Sequence, residues 1–204
     1  DSLIKSGVNV FMLANNHICD MGVKGVKSTI NYLESNDMLY TGVGVDSKSM
    51  PVFIGDVAII NYTNKMNVKV DGVVYNDLKD FNSVKKDIEY VKENGVKVII
   101  FITHWGNEYE TTHSVEQLST AKKLINLGVN MIIGSHPHVI QDRSDINGCP
   151  IIFSMGNFIS SQIEEECMRS IGVDVEIEDG KIVKTKYLNF QIENDNGIVK
   201  VKEI

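Results

Sequence analysis

Apolar residues recur along this chain in short runs, and several of those runs stop at a polar segment. Residues 8–14, 96–102 and 129–133 are such runs, and stretches of this length bounded by turn residues read as buried strands. Between them the period changes to that of a helix. Val23, Val26, Ile30 and Leu33 form one stripe of a helix over 22–36. Residues 82–94 form a second helix, stopped by Gly95 as a C-terminal glycine. Ser114 with Gln117 three residues on is a capping-box pattern that opens a third, which runs to Leu127 and stops at Gly128. Residues 40–60 are strand-like and glycine-rich, 68–79 read as an irregular excursion, and 130–133 and 151–154 read as strands. Gly55-Asp56, between the β-rich runs 52–54 and 57–62, is a hairpin turn signal.

After Phe158 the pattern changes again. Residues 160–169 are polar, and the acidic run 164–166 reads as a solvated face. Alternating strands then follow over 172–178, 181–192 and 198–204, with Asp179-Gly180 and Asn196-Gly197 as hairpin turns between. Alternating helix and strand followed by such a meander predicts an α/β sandwich that closes on a mixed or antiparallel sheet.

The chemistry sits where the apolar runs end. His17 follows the first run, His104 the second, and Gly134-Ser135-His136-Pro137-His138 the third. In open α/β sheets the carboxyl ends of the strands form the ligand crevice. Pro137 fixes its own φ and is expected to push His136 toward an extended conformation. Two imidazoles one residue apart on such a segment can point to the same side, and imidazole suits Zn, Mn, Fe or Ni. An isolated His-Pro-His is equally well a pair of solvated loop histidines, but three strand ends that each carry a histidine point to a shared metal or catalytic site. His113 reads as a surface residue near the rim.

Composition narrows the picture a little. At 204 residues the chain is long enough for a sizeable core. The net charge of -7 leaves no nucleic-acid footprint. Arg143 and Arg169 are the only arginines, so an anionic polymer would need a local basic patch or a bound metal to hold it. Cys19, Cys149 and Cys167 lack zinc or disulfide spacing. No apolar stretch approaches the ~20 residues of a membrane helix.

The segments NNHICDMG, HWGNEY, GSHPHVIQ and FSMGNF, in that order from Asn15 to Phe158, resemble the signature set of the bacterial capsule-synthesis CapA family, whose members include poly-γ-glutamate synthesis proteins. That family is similar in fold to calcineurin-like metallophosphoesterases, which implies a metallophosphoesterase-like α/β sandwich with a C-terminal antiparallel β-meander. It implies one domain over 1–204, with the meander at 171–204 inside it. It also implies a divalent metal ion, Mn, Zn or Fe. By the resemblance, Asn16, His104 and His136 hold one metal, His138 helps hold a second, and His17 stands beside the substrate as a proton donor. Asn15 and Pro137 stand where phosphoesterases carry other residues.

The phosphoesterase pattern opens with strands that end in carboxylates, one of which bridges the metals. Nothing upstream of Asn15 matches them, so the chain is expected to lack the family's N-terminal strands and to be inactive alone. Asp20 is read either as orienting His17 through a hydrogen bond or as capping the following helix. Glu108 is a further ligand or base, or the rim of a loop. Trp105 is packing under the site or a platform for substrate. Asn157 lines the cleft. These three are the candidate substrate contacts.

The expected function is metal-assisted hydrolysis or group transfer on an anionic polymer such as poly-γ-glutamate, or on a phosphorylated small molecule. The alternative is a non-catalytic assembly, export or polymer-binding subunit of a membrane synthesis complex. Family members are exported or membrane-anchored, which implies placement at the bacterial cell surface.

Overall fold

The computed structural model describes residues 5–195 and 198–204. The chain divides into two compact units, one of residues 1–96 with 101–104, the other of 97–100 with 105–204. Among the described residues no helix is long and apolar enough to cross a membrane.

The first unit begins with β1 (Val10–Met12), which leads through the Asn-His segment into α1 (Gly22–Glu34). Four short strands follow: β2 (Leu39–Thr41), β3 (Val43–Val45), β4 (Val52–Ile54) and β5 (Val57–Thr63). Then come β6 (Val73–Tyr75) and α2 (Phe81–Glu93). β1 pairs β2 in parallel, while β3 pairs β6 and β4 pairs β5 antiparallel. The apolar stripe of α1 buries Val26, Ile30 and Leu33, at the i, i+4, i+7 spacing of one helix face. These pack with Leu13, Cys19 and Val43 into a small core. Residues 68–79 are less irregular than expected, because Val73-Val74-Tyr75 forms a strand on β3. Asp80 starts α2 by accepting from the Ser83 amide at 3.2 Å, and the helix buries Val84, Ile88 and Val91. The turn at Gly55-Asp56 joins β4 to β5, with Gly55 at φ +59. In this unit the strand order is β4-β5-β7, where β7 is Val98–His104 and gives residues 101–104 to it.

The second unit takes the first half of β7. It continues with α3 (Val115–Asn126), β8 (Met131–Ser135), β9 (Arg143–Ile146) and β10 (Cys149–Ile152) in the order β7-β8-β10-β9. β8 and β10 are parallel, and β9 is antiparallel to β10. α3 carries the expected capping box, with Ser114 and Gln117 bonding reciprocally. The β9–β10 hairpin turns at Asn147-Gly148 and was not anticipated. A 3-10 turn at Glu165–Met168 leads to the meander β11 (Arg169–Glu178), β12 (Lys181–Asp195) and β13 (Ile198–Glu203). Asp179 at φ +50 and Gly180 at φ +73 make its first turn, the left-handed pair that suits a two-residue hairpin. Asn196-Gly197 lies outside the described residues, but Asp195 pairs with Ile198 on either side of it. One meander face sets acids against lysines, Asp174 opposite Lys186 and Glu176 opposite Lys184, while Val173 faces Tyr187 on the other.

Candidate functional site

In the first unit the Asn-His segment is shaped by amide side chains. Asn15 accepts from the His17 amide at 2.9 Å and donates to the Leu13 carbonyl at 3.3 Å, a turn in which Asx replaces a backbone partner. Asn61, 1 % exposed on β5, accepts from the Ala14 amide at 2.7 Å and donates to the Ile102 carbonyl at 3.2 Å. One buried side chain thereby holds the backbone two residues before Asn16 and two residues before His104. Gly42 makes room for it: a Cβ there would sit 2.3 Å from Asn61 Oδ1 and 2.5 Å from the Ala14 nitrogen.

β7 runs past its apolar stretch and ends on His104 itself. The His104 carbonyl accepts from the Asn64 amide at 3.2 Å and lies 3.0 Å from the Thr63 hydroxyl. Its ring Nε2 is 2.9 Å from Asn16 Oδ1. An amide oxygen only accepts, so Nε2 carries the hydrogen in this state. Asn67 supports the segment by donating its backbone N–H to the Asn16 carbonyl at 3.2 Å. It also accepts from Asn16 Nδ2 at 3.3 Å.

His17 is exposed, and its Nδ1 lies 2.6 Å from Asp20 Oδ2. Asn67 Nδ2 is 3.4 Å from the same nitrogen, and the shorter contact decides that Nδ1–H donates to the carboxylate. Asp20 does not cap α1, since the N-cap is Met21 and makes no side-chain cap bond.

In the second unit the His-Pro-His segment is held by its backbone. The Ser135 carbonyl accepts from the Trp105 amide at 3.0 Å and the Pro137 carbonyl from the Tyr109 amide at 2.8 Å. His136 has φ +101 and His138 φ +64. The expectation of an extended His136 is therefore corrected: with its neighbours pinned on both sides it takes a positive φ, at a cost of about 1–3 kcal/mol. The two rings are 6.2 Å apart and tilted by 50°, and His136 is 9 % exposed. Gly134 lets the segment lie flat on the core, since a Cβ there would stand 2.0 Å from the Phe153 carbonyl oxygen.

His138 Nδ1 is 2.9 Å from Asn157 Oδ1. Asn157 gives its two amide hydrogens to Gln162 Oε1 at 2.6 Å and the Cys167 carbonyl at 3.1 Å. Tyr109 stacks on the His138 ring with centroids 6.1 Å apart.

Two more residues of these segments are placed by the structure. Trp105 is fully buried, donates its indole N–H to the Phe153 carbonyl at 2.9 Å and stacks on Phe153. It is core packing and offers no ring face to a substrate. His113 is partly exposed and held in place: its amide and its Nδ1 both reach Asp142, at 2.9 and 2.7 Å, and its ring stacks on Phe153 at 4.0 Å. Glu108 is exposed on the turn before Tyr109. Sequence reasoning missed Asn61, Asn67, Tyr109 and Gln162. For Asn61 the signal was a lone amide inside an apolar strand, a buried polar group that must find partners.

Among the described residues no group of three His, Cys, Asp or Glu side chains is placed to hold a metal. The donor set that is present includes an amide. Two donors bound to one ion at ~2.1 Å and at right angles stand roughly 3 Å apart, and Asn16 Oδ1 and His104 Nε2 have that spacing. The pair fits neighbouring positions of a coordination shell once Nε2 gives up its hydrogen.

The capsule biosynthesis protein CapA of Bacillus anthracis is 30% identical over 181 residues, 78% of this chain and 41% of the relative. The PGA biosynthesis protein CapA of Bacillus subtilis (strain 168) is 27% identical over 167 residues, 73% of this chain and 42% of the relative. The chain thus spans about two fifths of the length of these curated relatives. Among solved structures, the sulfate thiohydrolase SoxB of Thermus thermophilus, in complex with glycerol, matches with a TM-score of 0.60 and 12% identity. The match covers 91% of this chain and 33% of SoxB. That likeness gives the fold, a metallophosphoesterase-like α/β architecture with a C-terminal antiparallel meander. Residues 1–162 match the family described as bacterial capsule synthesis protein PGA_cap, and the chain belongs to that family.

Proposed function

We propose that this chain serves capsule biosynthesis at the bacterial cell surface as a metal-dependent hydrolase or transferase acting on an anionic polymer such as poly-γ-glutamate or its precursor. The observation that supports the reading is the contact between Asn16 Oδ1 and His104 Nε2, donors 88 positions apart in sequence and 2.9 Å apart in space. Asn16 and His104 in the first unit, and His136 and His138 in the second, are the candidate metal ligands. A divalent ion supplies Lewis-acid polarisation and a water of lowered pKa. His17 donates from Nδ1 to Asp20, which fixes the ring and leaves Nε2 as the nitrogen through which a proton would pass to a leaving group.

These ligands are all neutral, so they offset little of the ion's lost hydration. Binding is therefore weak. Calorimetric titration of the chain with Mn checks this. The reading expects weak binding, diminished by His104→Ala and by His136→Ala. No heat from the parent chain, or undiminished heat from either variant, would overturn it. A second reading, a non-catalytic assembly or polymer-binding subunit, is favoured by the lack of a three-residue His, Cys, Asp or Glu group among the described residues. It predicts retention of poly-γ-glutamate without turnover, unchanged by His17→Ala.

A further inference from the structure

The His138 ring is enclosed by a closed circuit of contacts, and the hydrogens in that circuit can be assigned. The Cys167 carbonyl can only accept, so the Asn157 side-chain group 3.1 Å away from it is the NH₂. The other NH₂ hydrogen goes to Gln162 Oε1 at 2.6 Å. The Asn157 oxygen therefore faces His138 Nδ1 at 2.9 Å, and Nδ1 must carry the hydrogen. Gln162, its oxygen taken by Asn157, donates through Nε2 to the Tyr109 hydroxyl at 3.2 Å. Tyr109 closes the circuit twice, by stacking on the His138 ring and by donating its backbone N–H to the Pro137 carbonyl. Tyr109 at φ +65 and His138 at φ +64 are both left-handed, a conformation that non-glycine residues hold only where the surroundings impose it.

We propose that Asn157, backed by Gln162 and Tyr109, is a positioning residue that locks His138 as the Nδ1–H tautomer and leaves the Nε2 lone pair as the donor. Both amide hydrogens of Asn157 are already used, so its role is to orient the ring and not to hold substrate. The lone pair is the form a metal ligand needs, and that use of it rests on the reading of His138 as a ligand. The tautomer itself does not.

The test is nitrogen-15 histidine NMR on the metal-free chain, at a pH where the imidazoles are neutral. His138 is expected as Nδ1–H. Asn157→Ala should release it to a mixture richer in Nε2–H, and Asn157→Asp, which still accepts from Nδ1, should restore the parent tautomer. Gln162→Ala, at a half-buried position, should give a partial shift. An Nε2–H signal in the parent chain, or an unchanged tautomer in Asn157→Ala or Gln162→Ala, would overturn the proposal. Asn157→Ala should also weaken metal affinity about 10–100-fold. If the tautomers behave as expected but His138→Ala leaves metal affinity unchanged, the ligand reading falls and the positioning role stands.

Discussion

The histidines of the two units differ in where their hydrogens sit. His104 in the first unit donates from Nε2 to Asn16 Oδ1. His138 in the second donates from Nδ1 to Asn157 Oδ1. The first ring must exchange its hydrogen before Nε2 can bind an ion, whereas the second already presents a lone pair. The supports differ too. Asn16 and His104 are distant in sequence and are brought together by strand ends and by the buried amide of Asn61. His136 and His138 are sequence neighbours, set by left-handed backbone over a glycine. One half of the chemistry rests on tertiary assembly and the other on local strain and an amide brace.

The largest expected effect comes from removing the space under each segment. Gly134→Ala meets the backbone oxygen of Phe153, and Gly42→Ala meets the Ala14 nitrogen while holding φ +108. Backbone cannot yield as a flexible side chain does, so each should cost about 3 kcal/mol in urea or thermal unfolding. Gly55→Ala, at φ +59 with nothing within 4 Å, should cost about 1 kcal/mol. Equal losses at Gly55 and Gly134 would remove the argument for close packing.

Next comes Asn61→Ala, which leaves the buried Ala14 N–H without its acceptor. A loss of about 1–3 kcal/mol is expected by chemical denaturation, with metal affinity falling as well because both segments lose their tie. A variant as stable as the parent would show that the first unit does not depend on this tertiary brace.

Much of this was legible from the residues alone. The three helices, the meander and the histidines at strand ends follow from period and punctuation. The β9–β10 hairpin was hidden because its Asn-Gly turn is flanked by Arg143-Ser144-Asp145-Ile146, which lacks an apolar alternation. β6 was hidden because three residues carry too little pattern. Asn67 and Gln162 could not be found, since their partners are set by the path of the chain. Trp105 beside a histidine left packing and a platform both open, and its complete burial decides for packing.

A smaller effect is expected at His17. Its pair with Asp20 is exposed, at 63% and 43% for the two side chains, so Asp20→Asn should change stability by less than about 1 kcal/mol. Any turnover should fall much more, a split that thermal unfolding and an assay on poly-γ-glutamate would read together.

The smallest effect concerns the buried thiols of the two units. Burial pushes the Cys19 thiol up in the first unit, and in the second it pushes Cys149 from 9.0 to about 12, with the Asp145 charge adding to it. A raised folded-state pKa stabilises the fold fully below pH 9, and that contribution is lost as pH rises toward 12. Unfolding curves of the parent chain should therefore weaken over that window, and Cys149→Ala should show a shallower decline. Fast alkylation of Cys149 in the folded chain at pH 8 would contradict its burial.

The most direct test of metal binding is a Zn titration of the histidine-labelled chain followed by nitrogen-15 NMR. The account predicts that the His104 and His138 rings both respond, that His104 loses its Nε2–H signal, and that His138 keeps its Nδ1–H while its Nε2 resonance moves. Rings that stay unchanged in excess Zn, with His104 still donating from Nε2, would contradict the claim that these residues are ligands.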